Sequence, residues 1–268
     1  MKIRYDRFPG GKTKAITMSY DDGREDDRQL VAIMNEYGLK GAFHLNSGFL
    51  GKPGYIGVNE VQTLYAGQEV SAHTAEHPFL DVTPPDRIIM EIMKDRDALE
   101  ALTDYPVRGM SYPHGAWNEQ VVSALPGLGI EYARTTTSTH TFDIPSDFLL
   151  WHPTCHHKQM LEYGKRLLSE KPRHLRMALL YVWGHSYEFE RDRNWSLLEQ
   201  FGELAGRRND IWYATNSEIV GYMRAIRQLR FSVSGHIIHN PSAISVWIGV
   251  DDTSVEIKGG ETKHLKPC

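Results

Sequence analysis

The chain has 268 residues, enough to bury a sizeable hydrophobic core, and its 41% hydrophobic and 24% charged residues are typical of a soluble globular protein. Its 30 basic and 34 acidic side chains give a formal net charge of -4 without a basic tract, which argues against a nucleic acid or an anionic membrane surface as a partner. No apolar run is long enough to span a bilayer, and two cysteines are too few for a disulfide framework or a thiolate zinc site.

The segment MKIRYDRFPGGK at the start of the chain contains no apolar run of the kind found in a signal peptide. If Met1 is the native start, this favours a cytoplasmic location, although a chain whose signal peptide had been removed would look the same. The sequence leaves the oligomeric state open.

Strand and helix patterns alternate along most of the chain. Residues 14–20 predict a buried strand that runs into Asp21-Asp22-Gly23, and the next helix has apolar residues at helical spacing and ends at Gly38. Further strands are predicted at GAFHLN, EVSAH and RGMSY, and near 130–133, 147–150, 179–183 and 211–214. Further helices are predicted near 59–65, from Pro84-Pro85 to Thr103, after Asn118, and near 158–169, 194–206 and 216–227.

This alternation predicts an α/β fold with a parallel sheet, and its regularity over about seven strands favours a barrel over an open sheet. After about residue 230 the pattern changes to short strands separated by turns, in FSVSGHIIH, ISVWIGV and SVEIKGG. We therefore predict a barrel over residues 1–230 and a small β appendage over residues 231–268. The appendage could be a dimer contact, a lid or a sugar-binding face.

Polar clusters follow four of the predicted strands at the point where the chain leaves each strand. They are Asp21 with Asp22, His73 with His77, Pro113-His114-Gly115, and His185. In a parallel barrel all these strand ends lie on one face, where active sites are built. Four separate clusters on the same face carry more weight than any one of them.

The first two clusters together predict a metal site. Adjacent carboxylates such as Asp21 and Asp22 repel each other unless a cation lies nearby, although Asp-Gly is also common in simple turns. His73 and His77, four residues apart, can meet one ion, and a carboxylate from Asp22 completes a two-His, one-carboxylate site with open positions. This ligand set suits Zn²⁺, and Co²⁺ or Fe²⁺ could also occupy it. His185 is either a core histidine or a general acid on the same face.

The segments TMSYDDG, HTAEH, SYPHG and YVWGH resemble, in order and spacing, the motifs of the polysaccharide deacetylases. This family is carbohydrate esterase family four, with chitin, chito-oligosaccharide and peptidoglycan deacetylases among its members. The resemblance covers about residues 12–225 and implies a distorted (β/α)7-type barrel that binds a divalent metal. It also implies a hydrolase that removes N-acetyl groups from an amino-sugar substrate and releases acetate.

Carried over residue by residue, the resemblance implies that Asp21 is the catalytic base and His185 the general acid. It implies that Asp22, His73 and His77 bind the metal ion. A metal-independent hydrolase of cyclic amides or ureides is one alternative, but in that branch of the fold the metal ligands tend to be eroded. A non-catalytic carbohydrate-binding protein is another, but binding alone needs neither a base nor an acid.

The third motif implies a substrate groove. Pro113 and Gly115 match its groove-forming positions, and a backbone N–H near Tyr112 would bind the oxyanion of the reaction. Sugar rings need flat apolar surfaces, and among the aromatic residues near the motifs Trp117 and Tyr187 are the preferred candidates for stacking.

Two departures from the family pattern concern residues that support catalysis. The third motif usually begins with an arginine that holds the catalytic aspartate, and this chain has Ser111 there, so Arg134 or Arg108 would have to supply the guanidinium from elsewhere. The Asp-Trp motif that usually supports the catalytic histidine is not recognisable. The adjacent His156 and His157 could form a second metal cluster, although a core or surface role is commoner for such a pair.

Overall fold

The computed structural model describes residues 1–169 and 177–265. Residues 170–176 and 266–268, which include Cys268 and the end of the predicted appendage, lie outside this description. The strands are β1 (Ile3–Arg4), β2 (Lys14–Asp22), β3 (Gly41–Leu45), β4 (Glu69–Ala72), β5 (Gly109–Ser111), β6 (Tyr132–Arg134), β7 (Cys155–His156), β8 (Ala178–His185), β9 (Ile211–Tyr213), β10 (Arg230–Phe231), β11 (Ile237–His239), β12 (Val246–Val250), β13 (Thr253–Ile257) and β14 (Thr262–His264). The helices are α1 (Asp27–Glu36), α2 (Val61–Leu64), α3 (Pro85–Thr103), α4 (Glu119–Ala124), α5 (Met160–Ser169), α6 (Tyr187–Arg191), α7 (Trp195–Ala205) and α8 (Asn216–Arg227).

A parallel sheet in the order β6-β5-β4-β3-β2-β8-β7 forms the centre of the molecule, and β9 pairs with the first residues of β2. The segment 151–156 connects the two edges of this sheet. Trp151 N–H donates to Ala133 O of β6 at 3.0 Å, and Cys155 of β7 pairs with Val182 of β8. The sheet therefore curls into a distorted barrel, and the predicted (β/α)7-type fold is confirmed.

Side chains on the barrel strands alternate between two environments, as expected for a period of two. On β2, Met18 and Tyr20 are buried in the core that lies under the surrounding helices. Ser19 and Asp21, in contrast, turn towards the barrel axis, where both contact Arg134 of β6. Polar side chains therefore line the barrel axis, and the predicted site residues lie where this axis meets the C-terminal ends of the strands.

The strand predicted near 147–150 is wrong, because Phe148–Leu150 forms a 3-10 turn. The Asp147 carboxylate accepts a hydrogen bond from Leu149 N–H at 2.8 Å, which offers the backbone an alternative to strand pairing. Extended backbone follows instead at Trp151 and in β7, which is too short to leave a periodic pattern in the sequence.

The C-terminal segment forms two small antiparallel sheets, β1-β12-β13 and β10-β11-β14. The first of these includes a strand from the start of the chain, where Ile3 pairs with Val250. Ile248 and Ile257 are fully buried in one cluster with Phe8 and with residues of α8. The boundary at residue 230 stays a prediction, and the appendage shares its core with the barrel. Among the described residues, no helix is long and apolar enough to cross a membrane.

Candidate active site

The side chains predicted to carry chemistry meet at the C-terminal ends of the barrel strands. Asp21 and Asp22 end β2, His73 directly follows β4, Arg134 ends β6 and His185 ends β8. Parallel strands bring these ends to one face of the barrel, which explains why residues far apart in the sequence lie within a few ångströms of one another.

The two aspartates of the first motif point in different directions. Asp21 is 3% exposed and belongs to the inward-facing row of β2, whereas Asp22 has a φ of 80° and is followed by Gly23 with a φ of 65°. A non-glycine residue in the left-handed region is strained, and such strain often occurs at functional sites. The turn directs the Asp22 carboxylate towards the two histidines of the second motif.

Asp22, His73 and His77 form a compact group of possible metal ligands. The two Nε2 atoms lie 3.1 Å apart, and each is 3.6 Å from Asp22 Oδ1. A tetrahedral zinc site with bonds of about 2.1 Å places neighbouring ligand atoms about 3.4 Å apart. Burial lowers the pKa of His73 well below its usual range and that of His77 to about 4, so both imidazoles are neutral, as metal ligands must be. The donor set and its spacing therefore fit a divalent cation.

The ring of His73 is oriented by its other nitrogen. Nδ1 lies 2.9 Å from the carbonyl oxygen of Ser111 and 2.7 Å from its hydroxyl oxygen, so we assign its proton to Nδ1. This leaves the lone pair of Nε2 facing Asp22. The carboxylate of Asp95 on α3 accepts a hydrogen bond from His73 N–H at 2.9 Å and holds the backbone in place.

The Asp21 carboxylate is held by two donors from neighbouring strands. Arg134 Nη2 donates to Oδ2, and Ser111 Oγ donates to Oδ1 at 3.0 Å. Although burial raises the pKa of Asp21, the Arg134 guanidinium and the nearby imidazoles hold it well below its usual range. Arg134 is fully buried, and its guanidinium lies 4.7 Å from the ring centre of Trp183. Asp21 is therefore an anion at neutral pH.

His185 lies between Asp21 and a carboxylate that sequence reasoning missed. Its Nε2 is 4.0 Å from Asp21 Oδ2, and its Nδ1 is 3.4 Å from Oε2 of Glu188. Burial lowers the pKa of His185, but Glu188, Asp21 and Asp22 raise it by more, and the net shift is upward. Glu188 stands three residues after His185, in the first turn of α6, and the sequence does not distinguish it from Glu190.

The predicted third-motif residues lie beside this cluster. Tyr112 is 1% exposed, its hydroxyl donates to Leu149 O at 2.7 Å, and its N–H donates to Arg134 O at 3.0 Å. Neither of these two groups of Tyr112 is free for a substrate. Pro113 and Gly115 belong to a 3-10 turn in which His114, between them, has a φ of 58°.

The two predicted stacking residues are half-buried at the site. The Trp117 ring lies 6.3 Å from that of Tyr112, and the Tyr187 ring lies 5.2 Å from that of His185. A third aromatic surface could not be predicted from the sequence: Phe79 stacks on His114 with ring centres 3.7 Å apart and an interplanar angle of 8°. Phe79 is 54% exposed, and His114 lies 4.2 Å from the ring of His77.

Residues 9–133 match the model of the polysaccharide deacetylase family. The chain is 27% identical to the peptidoglycan-N-acetylglucosamine deacetylase PgdA of Listeria monocytogenes over an aligned region of 132 residues. This region covers 48% of this chain and 27% of the length of PgdA. Over just under half of its length, the chain is thus similar to the polysaccharide deacetylase superfamily. The deacetylase candidate YxkH of Bacillus subtilis is 22% identical over 138 residues, 51% of this chain and 49% of YxkH. The matched region thus spans about half or less of these curated relatives.

Solved structures of this superfamily show the same fold. A polysaccharide deacetylase candidate from Mycobacterium smegmatis superposes with a TM-score of 0.63 at 17% identity, covering 85% of this chain and 96% of its own. A mutant of BA3943, described as a CE4 family pseudoenzyme, superposes with a TM-score of 0.50 at 18% identity, covering 77% and 67%. Because the superfamily includes pseudoenzymes, activity must be inferred from this chain's own side chains.

Proposed function

We propose that this protein is a metal-dependent hydrolase that removes N-acetyl groups from an amino-sugar-containing substrate and releases acetate. The observation that carries this proposal is an ionised carboxylate, Asp21, that faces a histidine whose pKa is raised, His185, beside a group of metal ligands. A base and an acid beside a cation are what metal-dependent amide hydrolysis requires.

Asp22, His73 and His77 would hold the divalent ion, which when bound supplies positive charge that polarises the acetyl carbonyl and acidifies a nearby water. Asp21 then takes a proton from that water as it attacks the carbonyl carbon. Arg134 and Ser111 keep the Asp21 carboxylate ionised and fixed in orientation. Zn²⁺ is the expected ion, and Co²⁺ or Fe²⁺ would suit the same ligands.

His185 donates a proton from Nε2 to the departing amine, which is a very poor leaving group without it. Glu188 accepts from Nδ1 and favours the imidazolium form that carries this proton. The proton that Asp21 removes from water and the one that His185 gives to nitrogen balance the reaction, which yields acetate and a free amine.

A backbone N–H beside the site completes the stabilisation of the tetrahedral intermediate. Tyr112 N–H is bonded to Arg134 O, Pro113 has no N–H, and Gly115 N–H donates to Tyr112 O at 2.9 Å. By elimination among these N–H groups, we assign the oxyanion contact to His114 N–H.

The substrate is expected to be an acetylated carbohydrate, because aromatic surfaces flank the site. The Phe79–His114 pair, Trp117 and Tyr187 offer flat surfaces on which sugar rings can stack. The metal-independent and non-catalytic alternatives are less well supported, since the ligand group, the base and the acid are all present. The cytoplasmic location stays a prediction.

Acetate release from N-acetylated chito-oligosaccharides tests the proposal. We expect release by the zinc-loaded protein, at least a hundredfold less from Asp21→Asn, and none above background from His73→Ala with His77→Ala. Asp21→Asn should keep its zinc, as measured by elemental analysis, which separates loss of the base from loss of the ion. His264→Ala, an exposed histidine in β14, is the control and should behave as the parent. Equal release from the Asp21→Asn protein would refute the assignment of the base.

A further inference from the structure

A second group of potential metal ligands lies on the far side of His185 from the first. His156 ends β7, His157 follows it, and Glu188 lies on α6. Their ligand atoms all lie within 4.8 Å of one another. Glu188 Oε2 is 2.9 Å from His156 Nε2 and 3.7 Å from His157 Nε2, and these distances bracket the spacing of about 3.4 Å expected in a tetrahedral zinc site.

The His157 ring is fully buried, yet neither of its nitrogens has a hydrogen-bond partner among the residues that the structure describes. Burying an unpaired polar group costs free energy, and a metal ion bound to one ring nitrogen would offset that cost. The ring is fixed in place by stacking on Phe189, with centres 4.2 Å apart, and by the backbone of Gly184, where an added Cβ would collide with Nδ1. Its Nε2 is thereby directed towards Glu188.

The protonation states of His157 and Glu188 suit a cation. Burial lowers the pKa of His157 to about 3, which keeps its imidazole neutral. Although burial raises the pKa of Glu188, hydrogen bonds from His156 and His185 hold it well below its usual range. Arg191 Nη2 donates a hydrogen bond to the other carboxylate oxygen of Glu188, Oε1, at 3.1 Å, and Oε2 is the oxygen that faces the two histidines.

The cluster is also open to solvent on one side. The side chain of His156 is 22% exposed, so the cluster lies within reach of solvent. His156 Nδ1 accepts a long hydrogen bond of 3.4 Å from the backbone nitrogen of Lys158, and Nε2 lies 2.9 Å from Glu188 Oε2, so in the metal-free protein Nε2 carries the proton. An ion bound here would displace that proton, as metal binding to an imidazole does.

We propose that His156, His157 and Glu188 form a second divalent-metal site, selective for ions that prefer imidazole and carboxylate ligands, such as Zn²⁺. The site goes beyond the proposed deacetylase activity and does not depend on it. Glu188 is shared, since His185 lies against the same oxygen, so an ion here would hold in place the carboxylate that orients the general acid.

Zinc content of the purified, tag-free protein tests this site. The protein is stripped with a chelator, reloaded with Zn²⁺, separated from free ion by gel filtration and measured by elemental analysis. We expect two equivalents in the parent and one in His73→Ala with His77→Ala. Adding Glu188→Gln to that double variant should remove the remaining equivalent, and adding His264→Ala should not.

A second variant tests the same site in case the Glu188→Gln protein misfolds. His157→Phe keeps an aromatic ring against Phe189 but offers no ligand, so in the same double-variant background it should also abolish zinc binding. A double variant that holds no zinc, while its circular dichroism and melting temperature match those of the parent, would overturn the second site. Zinc retained by the double variant without acetate release by the parent would support the second site and refute the proposed function.

Discussion

Arg134 reaches Asp21 across the barrel from a position 113 residues later in the chain. Ser111 occupies the position where the family motif has its arginine, so the guanidinium comes from the neighbouring strand instead. Sequence reasoning could put forward Arg134 because it follows a predicted strand, but Arg108 flanks the same region. The structure separates the two, since Arg108 donates to Gly129 O at 3.1 Å, away from the Asp21 carboxylate.

Replacing Arg134 with methionine should destabilise the metal-free protein by about 3 to 5 kcal/mol, because the buried Asp21 anion loses its partner. Urea unfolding measures this change. Adding Asp21→Asn to the Arg134→Met variant removes the unpaired charge and should recover part of the lost free energy of unfolding. The two changes should therefore show a clear coupling energy in a double-mutant cycle. Strictly additive effects of the two changes would show that the ion pair does not contribute in this way.

Glu188 illustrates what residue patterns cannot resolve. It lies in the run YEFER together with Glu190, and nothing in the letters says which glutamate faces His185. Which glutamate faces His185 depends on where α6 begins, at Tyr187, two residues after the end of β8. By contrast, the spacing of His73 and His77 is local, so the sequence alone could predict the pair as ligands.

At the scale of elements, α1 and α2 are joined through a buried carboxylate. Asp27, the first residue of α1, is 1% exposed and accepts a hydrogen bond from Tyr65 OH, just after α2, at 2.6 Å. Burial raises the pKa of Asp27 to about 7. A carboxyl group whose folded pKa lies above its unfolded pKa stabilises the protein only while it is protonated.

Asp27→Asn should therefore change how stability depends on pH. In the parent, the contribution of Asp27 is present below about pH 4 and is lost as pH rises towards 7, whereas asparagine stays neutral throughout. The variant should gain on the order of 2 kcal/mol relative to the parent between about pH 5 and pH 8, as measured by urea unfolding. Asp97→Asn, on an exposed position of α3, serves as the control. A constant difference across this pH range would argue against a raised pKa.

Elements with a regular pattern were predicted and irregular ones were not. β2 and α3 carry period-two and helical spacing over many residues, and both lie where the pattern placed them. β7 has two residues, and the 3-10 turn at Phe148–Leu150 depends on one side-chain hydrogen bond. β7 is fixed by tertiary pairing with β8, and the turn has no period that a sequence pattern could show.

At the scale of the whole molecule, the N-terminal strand β1 and the C-terminal sheets are packed together on the barrel. β1 pairs with β12, and the apolar side chains of the C-terminal sheets are buried against α8 and Phe8. The sequence indicated a change from alternating strands and helices to short strands near residue 230. The long-range pairing between residues 3–4 and 249–250 left no local signal. The predicted appendage thus completes a core that begins at the N-terminus.

A chain that ends at residue 230 tests whether the barrel is independent of this segment. It would lose Val246, Ile248 and Ile257, each fully buried, and burial of one such side chain is worth roughly 1.5 to 3 kcal/mol. Because this sum is comparable with the whole stability of a typical domain, we expect the shortened chain to aggregate or to melt at a much lower temperature. A chain that ends at residue 258 keeps these side chains together with β12 and β13, and should melt close to the full chain. If the two shortened chains were equally stable in thermal unfolding, the barrel would be a separate folding unit and the shared core would contribute little.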